Sequence, residues 1–444
     1  MTKEIDLKML EKFEEAFDHS NINYLAMNAA NKNGVKACIN DYETERRLRY
    51  SFSIDIEAGD ITNQKQSGRC WMFAALNTMR IETMKKLNLK NMELSQNYIL
   101  FYDKLEKANY FLENIIETIT EPLSGRTVSF LLKDPLGDGG QWDMLANLIR
   151  KYGVVPKETM PETFDSSATA EIDNWMTKKL REFAKQIRIK YETEKNLEII
   201  RNLKDDMLQT IYRMLCISLG KPPKQFTWEV RDKDDKFIRV KDITPQQFYQ
   251  EYIGINLNDY VSIINAPTED KAFFKSYTIK HLGNVKEGHI VRHLNLPIED
   301  MKNLAISQLK EGRVVWFGCD VGQFHERDYG AMDVDSIRPD ALFSTEFGMD
   351  KAERLDYGES LMTHAMVFTG VNLDDSEKPD RWKVENSWGE DKGNKGFYIM
   401  SDEWFSEYMY QIVIHRKYLK EEWQKAYDSE PIELEPWDPM GSLA

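Results

Sequence analysis

The feature that most constrains this chain is a polar loop that runs directly into an apolar helical pattern at a cysteine. The loop spans residues 63–69, and Cys70 follows it. From Trp71 to Leu87, apolar residues recur at helical spacing without Pro or Gly, which predicts a buried helix that begins at Cys70. The dipole and free N–H groups of a helix N-terminus favour the thiolate, which is the form that attacks a carbonyl carbon. Cys70 is therefore a candidate nucleophile, although most buried cysteines are simply small apolar side chains.

A candidate partner pair lies far downstream, in two β-rich segments that flank a polar turn at residues 374–379. A hairpin centred near Asp375 places His364 opposite Asn386, with their Cβ atoms within ~5 Å. The amide oxygen of Asn386 then accepts the Nδ1–H of His364 and leaves Nε2 for a thiol. Taken singly, a strand histidine is usually a satisfied core residue, and an asparagine before Ser-Trp-Gly is usually a turn residue. Together with Cys70, they predict a thiol-peptidase triad.

Two segments resemble the papain-like cysteine peptidases, and most closely the branch that contains bleomycin hydrolase and aminopeptidase C. The first is Gln64 with Ser67-Gly68-Arg69-Cys70-Trp71, and the second is Asn386-Ser387-Trp388-Gly389. In that family the tryptophan of the second segment shields the hydrogen bond between histidine and asparagine from water.

The resemblance implies a role for each member of this set. Cys70 is the nucleophile, His364 is the general base and then the general acid, and Asn386 orients the imidazole. The Gln64 amide and the Cys70 backbone N–H form the oxyanion hole, in which one donor is typically worth ~10²–10³ in rate. The implied reaction is acyl transfer through a thioester followed by hydrolysis, with no metal and no organic cofactor.

A glycine-rich stretch, Gly137-Asp138-Gly139-Gly140-Gln141-Trp142, is a candidate substrate-binding segment. Glycines at this density allow close approach of another backbone. The family has a Gly-Gly pair at the corresponding place, where the main chain pairs with substrate, so the resemblance implies this role for Gly139 and Gly140. A plain tight turn is the competing interpretation. No Lys-Ser/Thr pair follows, so the stretch is not a phosphate-binding loop.

The end of the chain, residues 437–444, also resembles a family segment. In bleomycin hydrolases the C-terminus occupies the enzyme's own active site. The resemblance therefore implies that the Ala444 carboxylate receives the α-ammonium of a substrate and that the tail blocks longer substrates. A disordered terminus is the alternative, because chain ends are commonly disordered.

These features predict an α+β chain with a two-lobed papain-like fold. A helical lobe at 61–165 carries the nucleophile, and a β-rich lobe at 291–415 carries the histidine and asparagine. Cys70 and His364 lie much further apart than the ~130–150 residues of a minimal papain-like chain. Residues 166–290 are therefore interpreted as a large, mainly helical insertion, with an N-terminal arm at 1–60 and a C-terminal tail at 416–444 that reaches the active site.

Composition limits the compartment and the partners. The net charge of −15 argues against binding nucleic acid. No apolar run approaches the ~20 residues of a membrane helix, and the acidic, amphipathic N-terminus is not a secretory signal. The cysteines are widely spaced, which disfavours zinc sites and disulfides. The predicted localisation is cytoplasmic.

The N-terminal arm begins with an amphipathic helical pattern formed by Leu7, Leu10, Phe13 and Phe17. The resemblance assigns this arm to subunit contacts in a homo-hexamer whose active sites face an inner cavity. Packing of the helix on its own domain explains the same pattern equally well.

The predicted function is that of a cysteine aminopeptidase acting on peptides with a free N-terminus. An endopeptidase on the same fold, a nucleic-acid-binding protein and a non-catalytic scaffold are the alternatives. Among the other histidines, only His325, in a polar loop after an apolar strand, is a further candidate for lining the cleft.

Overall fold

The computed structural model describes residues 4–442, and its N-terminal arm is helical. The arm consists of helices α1 to α4, at Leu7–Asp18, Asn21–Asn33, Val35–Ile39 and Glu43–Arg47. Helix α1 is the predicted amphipathic helix, and the Asp6 carboxylate caps it by accepting the Met9 N–H at 2.9 Å. All residues of α1, α2 and α3 stay partly or fully exposed. The arm therefore presents its apolar side chains on the surface of the chain rather than packing them into a core.

A helical group follows the short strand β1, Ile54–Asp55. It consists of helices α5 to α9, at Cys70–Lys86, Gln96–Glu117, Arg126–Lys133, Trp142–Tyr152 and Phe164–Ser167. Helix α5 begins at Cys70 as predicted and is buried along most of its length. Helix α6 begins after Ser95, whose hydroxyl accepts the Tyr98 N–H at 3.0 Å, and this confirms the expected N-cap.

The next part of the chain forms a long helical pair and a hairpin. Its elements are α10 at Ala170–Glu194, α11 at Leu197–Leu219, β2 at Phe226–Arg231, β3 at Phe237–Ile243 and α12 at Pro245–Phe248. The hairpin expected near Asp234 and Asp235 is present, with Val230 opposite Ile238. Buried residues of α10 and α11 join the hydrophobic core that contains α5, so this part is packed onto the helical group.

The main sheet is built from β1 and from strands spread over the second half of the chain. These are β4 at Tyr260–Ile264, β5 at Ser276–Ile279, β6 at His293–Asn295, β7 at Val315–Cys319, β8 at His325–Glu326, β9 at Ala331–Met332, β10 at His364–Leu373, β11 at Pro379–Glu385, β12 at Phe397–Ser401, β13 at Met409–His415 and β14 at Ile432–Leu434. In residues 4–442 the strand order is β14-β5-β6-β4-β13-β7-β10-β11-β12-β9-β8, and β1 also pairs with β10. Five helices connect these strands: α13 at Ile298–Lys310, α14 at Pro339–Phe343, α15 at Lys351–Asp356, α16 at Asp402–Tyr408 and α17 at Glu421–Asp428.

The predicted boundary of the insertion at residue 290 is wrong. Strand β4 pairs with β13, and β5 pairs with β6 and β14, so both belong to the main sheet although they fall within 166–290. Within the predicted insertion, residues 166–259 contribute no strand to that sheet. The sequence did not reveal this because the partners of β4 and β5 are distant in the chain, and pairing between distant strands leaves no local signal.

The register of the β10–β11 hairpin also differs from the prediction. The turn closes with the Asp374 N–H donating to the Lys378 carbonyl at 2.8 Å, so it is centred on Ser376 rather than Asp375. Strand β11 ends before Asn386, and the strand residue directly opposite His364 is Cys319 of β7. The pairing is also irregular between Asn372 and Leu373 and again between Phe368 and Gly370, and it leaves Val367 opposite Glu385. His364 and Asn386 are therefore not facing residues of the hairpin.

The sheet separates two hydrophobic cores. On one face, Ala365 and Val367 of β10 pack with helix α5. On the other, Met366 and Phe368 pack with residues of α13 and α16. This alternation follows the two-residue period of a strand that is buried on both faces. It fixes the start of α5 against the start of β10, which positions the candidate site.

No helix within residues 4–442 is long and apolar enough to span a bilayer.

Candidate active site

Cys70 is the first residue of α5 and is almost fully buried. The preceding Arg69 is also buried, and its guanidinium forms two hydrogen bonds with Glu162, at 3.1 and 2.8 Å. This pair holds the chain at the point where it enters the helix. The backbone N–H groups of Ala365, Trp71 and Cys70 itself interact with the thiol. Because Ala365 follows His364 directly, the thiol lies beside the start of β10.

Burial dominates the ionisation of this cysteine. It raises the pKa of the Cys70 thiol to about 11, and the three backbone N–H groups, led by that of Ala365, oppose the rise. The expectation that the helix N-terminus would lower the pKa of the thiol is therefore wrong in its net sign. Desolvation of a charged sulfur outweighs a few N–H dipoles when water is excluded.

His364 and Asn386 are both buried and are hydrogen-bonded to each other. The Nε2–H of His364 donates to Asn386 Oδ1 at 2.9 Å. The Ser387 N–H donates to the same oxygen at 2.7 Å. The predicted hydrogen bond between the two side chains is present, but it uses Nε2 of the ring instead of the predicted Nδ1. Nδ1 is therefore the nitrogen left for a thiol. A sequence cannot distinguish these two orientations, because the backbone path decides which way the ring turns.

The indole of Trp388 covers this pair, with its ring centroid 4.7 Å from that of the His364 imidazole. Burial lowers the pKa of His364 to about 4; the Asn386 hydrogen bond raises this pKa, and the nearby cation Arg327 lowers it further. Burial therefore disfavours the Cys70 thiolate while His364 is neutral, and it disfavours the His364 imidazolium while Cys70 is neutral. Moving the proton from Sγ to the ring charges both at once, and the mutual attraction of opposite charges then stabilises the pair.

Gln64 is held by two hydrogen bonds that leave one amide hydrogen unassigned. Its Oε1 accepts the Ser387 hydroxyl at 2.7 Å, and its Nε2 donates to the Ser67 carbonyl at 2.7 Å. The Gln64 N–H also donates to the Ser387 carbonyl at 2.8 Å. Since a side-chain amide carries two hydrogens on nitrogen, the second one is available to an oxyanion. Ser387 was missed as a functional residue, because its contact with Gln64 spans more than 300 positions.

The glycine-rich segment packs tightly on Trp71, the residue that follows Cys70. A Cβ at Gly140 would lie 2.5 Å from the Trp71 ring, and the Trp71 Nε1–H donates to the Asp138 carbonyl at 2.8 Å. Lys107 Nζ donates to the Gly139 carbonyl at 2.7 Å. The close approach that requires glycine at position 140 is therefore that of an indole ring. A substrate-binding role for Gly139 and Gly140 stays a prediction.

The tail contacts residues next to this segment and next to the start of β10. The Gln141 Nε2–H donates to the Ser442 carbonyl at 2.8 Å, and the Ser442 hydroxyl donates to the Met362 carbonyl at 2.7 Å. Gln141 follows Gly140, and Met362 lies two residues before His364. Ala444 lies outside the described residues.

Upstream contacts anchor the tail before it reaches these residues. Asp438 pairs with Lys271 at 2.9 Å. The Arg126 guanidinium stacks 3.7 Å from the centroid of Trp437.

His325 packs against aromatic rings next to the candidate site. Its ring packs 6.1 Å from Trp388 and 5.2 Å from Tyr398, between centroids. Burial lowers its pKa to about 3, so it stays neutral. Residues 4–442 hold no group of three or more His, Cys, Asp or Glu side chains placed to bind a metal ion.

Comparison with known proteins gives full-length matches. Residues 4–441 match the family model described as the Peptidase C1-like family. The chain is 47% identical to aminopeptidase C of Lactobacillus delbrueckii subsp. lactis over 100% of this chain and 99% of that protein. It is 41% identical to bleomycin hydrolase of Gallus gallus over 95% of this chain and 94% of that protein. The crystal structure of PepW from Lactobacillus rhamnosis HN001 superposes with a TM-score of 0.98, at 49% identity and with 100% of both chains covered.

The Asn386 hydrogen bond predicts a rate effect. Replacing Asn386 with Ala removes a hydrogen bond to His364, the ring that the sequence predicts to carry positive charge during the reaction. Such bonds are worth about 1.5–3 kcal/mol, so kcat should fall roughly ten- to a hundredfold while activity persists. Initial rates at saturating concentrations of a free-amine aryl amide measure this change in kcat.

Asn372 provides the control for that variant. It lies on the same hairpin, and its side chain donates to the exposed Asp380. Asn372→Ala should keep the wild-type rate. An Asn386→Ala enzyme with wild-type kcat would show that the hydrogen bond does not serve the reaction.

Proposed function

This chain belongs to the Peptidase C1-like family and is a cysteine-type aminopeptidase, and on that premise we propose which residues carry out its reaction. Cys70 is the nucleophile, with His364 as base and Asn386 as the residue that orients the ring. The observation that supports this assignment most directly is the juxtaposition at the helix start. The Cys70 thiol interacts with the N–H of Ala365, and the neighbouring His364 is hydrogen-bonded to Asn386.

In the proposed acylation step, Nδ1 of His364 takes the proton from the Cys70 thiol as Sγ attacks the scissile carbonyl carbon. The free amide hydrogen of Gln64 and the Cys70 N–H stabilise the resulting oxyanion. Collapse of the tetrahedral intermediate breaks the C–N bond, and the imidazolium gives its proton to the leaving amine. The products of this step are a thioester on Cys70 and the shortened peptide.

Deacylation reverses the proton flow. Neutral His364 removes a proton from water, whose oxygen attacks the thioester carbon. The proton then returns to the departing sulfur, and the released amino acid leaves as its carboxylic acid. Every proton moves between Cys70, His364, water and substrate, so the chain's own residues account for the reaction.

We further propose that the site lies between two lobes, one formed by the helical group with α5 and the other by the sheet with β10 and β11. The two hydrophobic cores on either side of the sheet support this division. Residues 166–259 are then an insertion in the minimal fold, attached through α10 and α11.

The proposed substrates are peptides with a free N-terminus, and the tail is the proposed gate. Ser442 is fixed by Gln141 and Met362, next to the glycine-rich segment and to His364. Two residues follow Ser442, enough to reach about 7 Å further. We propose that the Ala444 carboxylate receives the α-ammonium of the substrate there, with Gly139 and Gly140 lining the same side.

Replacement of the nucleophile is the primary test of this function. Cys70→Ser should lose turnover of a free-amine aryl amide and keep its fold, because a hydroxyl at its ordinary pKa is a poor nucleophile without further activation. A thiol-directed epoxide should label the wild-type enzyme once, on Cys70. Ser replacements of Cys38, Cys216 and Cys319 serve as controls and should retain activity. Substantial turnover by Cys70→Ser would remove this residue from its role.

Deletion of residues 441–444 tests the gate. Losing one partner of a largely desolvated charge pair costs roughly 2–5 kcal/mol, so cleavage of free-amine aryl amides should weaken while cleavage of N-blocked peptides should appear. Asp438 and Trp437, which anchor the tail, remain in this variant.

Ala444→Gly keeps the length and the carboxylate, so it should behave as wild type. A truncated enzyme that keeps its aminopeptidase rate and still refuses N-blocked substrates would contradict the gate. Efficient cleavage of N-blocked substrates by the intact chain would favour the endopeptidase alternative.

We propose that the chain assembles with copies of itself as a homo-hexamer. The arm supports this, because Leu7, Phe13 and Leu25 expose 77%, 55% and 72% of their surface. An apolar surface this extensive commonly marks a protein interface.

The four free cysteines also fit a reducing compartment, and we propose the cytoplasm, which cell fractionation can check.

Sedimentation at micromolar concentration tests the assembly. The full chain should sediment far above its 52.1 kDa monomer mass. Changing Leu7, Phe13 and Leu25 to Ser should release smaller species, because each change removes apolar area from the contact. The matched control places Ser at Ile217, which is equally exposed but lies on α11. A wild-type chain that sediments as a monomer would overturn the proposal.

A further inference from the structure

The residue that leaves in the first step must lie against His364, because the imidazolium has to protonate its nitrogen. The ring that covers His364 is Trp388, at 4.7 Å between centroids. The tail contacts a different wall, formed by Gln141 and Met362. The acyl and leaving portions of a substrate therefore meet different residues, and Trp388 lies on the leaving side.

An arginine lies on this tryptophan. The Arg327 guanidinium carbon is 4.5 Å from the centroid of the Trp388 ring, and the side chain is exposed. Stacking on an indole favours a cation and holds the guanidinium plane in a defined position. Arg327 is also the cation whose charge acts on His364, so it is close to the reacting groups.

The neighbouring carboxylates have other partners. Glu326 accepts the backbone N–H groups of Asp328 and Tyr329, at 3.1 and 2.7 Å. Asp328 pairs with Lys392. Across residues 4–442, no carboxylate lies within ion-pair distance of Arg327. An arginine that is positioned, exposed and not neutralised is well suited to bind a ligand carboxylate.

We propose that Arg327 is a specificity residue that binds a carboxylate on the first residue of the leaving group. The inference rests on the proposed function, because it takes the direction of the substrate from the roles of Cys70 and His364. Two substrates carry this chemistry: a dipeptide, through its α-carboxylate, and a longer peptide with Asp or Glu at that position. The α-carboxylate carbon is only two bonds from the nitrogen that His364 protonates, so it stays near Trp388.

Solvent reaches Arg327, which limits the size of the effect. An exposed charge pair changes affinity by about fivefold at most. The preference should also decline as salt is raised, because exposed charges are screened. A cation that acted only by shifting the pKa of His364 would change kcat/KM for all substrates by the same factor. The ratio of kcat/KM between two matched substrates therefore separates carboxylate binding from an effect on the pKa of His364.

The experiment compares kcat/KM for two matched pairs on the full-length enzyme. Ala-Ala is paired with its C-terminal amide, and Ala-Glu-amide with Ala-Gln-amide. Wild type should favour the carboxylate member of at least one pair, by up to about fivefold. Arg327→Gln should abolish that preference, and Arg327→Lys should retain part of it, since an ammonium keeps the charge without the planar fork. The pair that shows the preference identifies the source of the carboxylate.

Lys36→Gln is the matched control. Lys36 is an exposed cation whose charge also reaches His325 and Asp328, but it does not lie on Trp388, so its removal should keep the preference. The inference is overturned if wild type shows no preference for the carboxylate member of either pair. It is also overturned if that preference persists in Arg327→Gln. Failure of the proposed function is distinct, because wild type would then leave a free-amine aryl amide uncleaved, and that substrate has no carboxylate on its leaving group.

Discussion

The carboxylate of Glu385 connects the parts of the site that come from distant regions of the chain. It pairs with Arg80 at 2.9 Å and accepts a hydrogen bond from Asn77 at 2.8 Å, both on the helix that begins at Cys70. Asn77 also donates to the hydroxyl of Thr62, two residues before Gln64. Because Glu385 directly precedes Asn386, one buried group relates the helix that begins at Cys70, the loop that carries Gln64, and Asn386. Removing one partner of such a pair typically costs ~3–5 kcal/mol.

Burial decides the chemistry here as much as residue type does. It raises the pKa of Glu385 to about 7, and Arg80 opposes that rise. The same exclusion of water holds the Cys70 thiol and the His364 ring neutral when each is considered alone. A buried ion pair is a weak source of net stability, because desolvation offsets much of the attraction. The arrangement is better understood as fixing geometry: charges that cannot be solvated elsewhere keep the helix and the strand in one relative position.

The parts of the fold that sequence predicts are those with local causes. The start of α5 at Cys70, the Ser95 cap and the turn near Asp235 each follow from a few adjacent residues, and all three are present. The errors involve distant partners. A turn centred one residue later changes the β10–β11 register, two irregularities interrupt it, and pairing with β13 places β4 in the main sheet. The sign of the Cys70 pKa shift depends on total burial, which no short pattern reveals.

Glu385 and Arg327 illustrate two opposite reasons for a charged residue to escape sequence analysis. Glu385 stands at the end of an apolar strand, where a charge requires a buried partner, yet the sequence does not say that the partner is Arg80. Arg327 lies in a polar loop, where a charge is unremarkable, and only its contact with Trp388 distinguishes it. Buried charges are explained by their partners in the fold, whereas an exposed charge held in position without an ion-pair partner is available to bind a ligand. If both proposals hold, the tail and Arg327 act on opposite portions of the substrate, and carboxylate–cation pairing contributes to selectivity at both ends of the scissile bond.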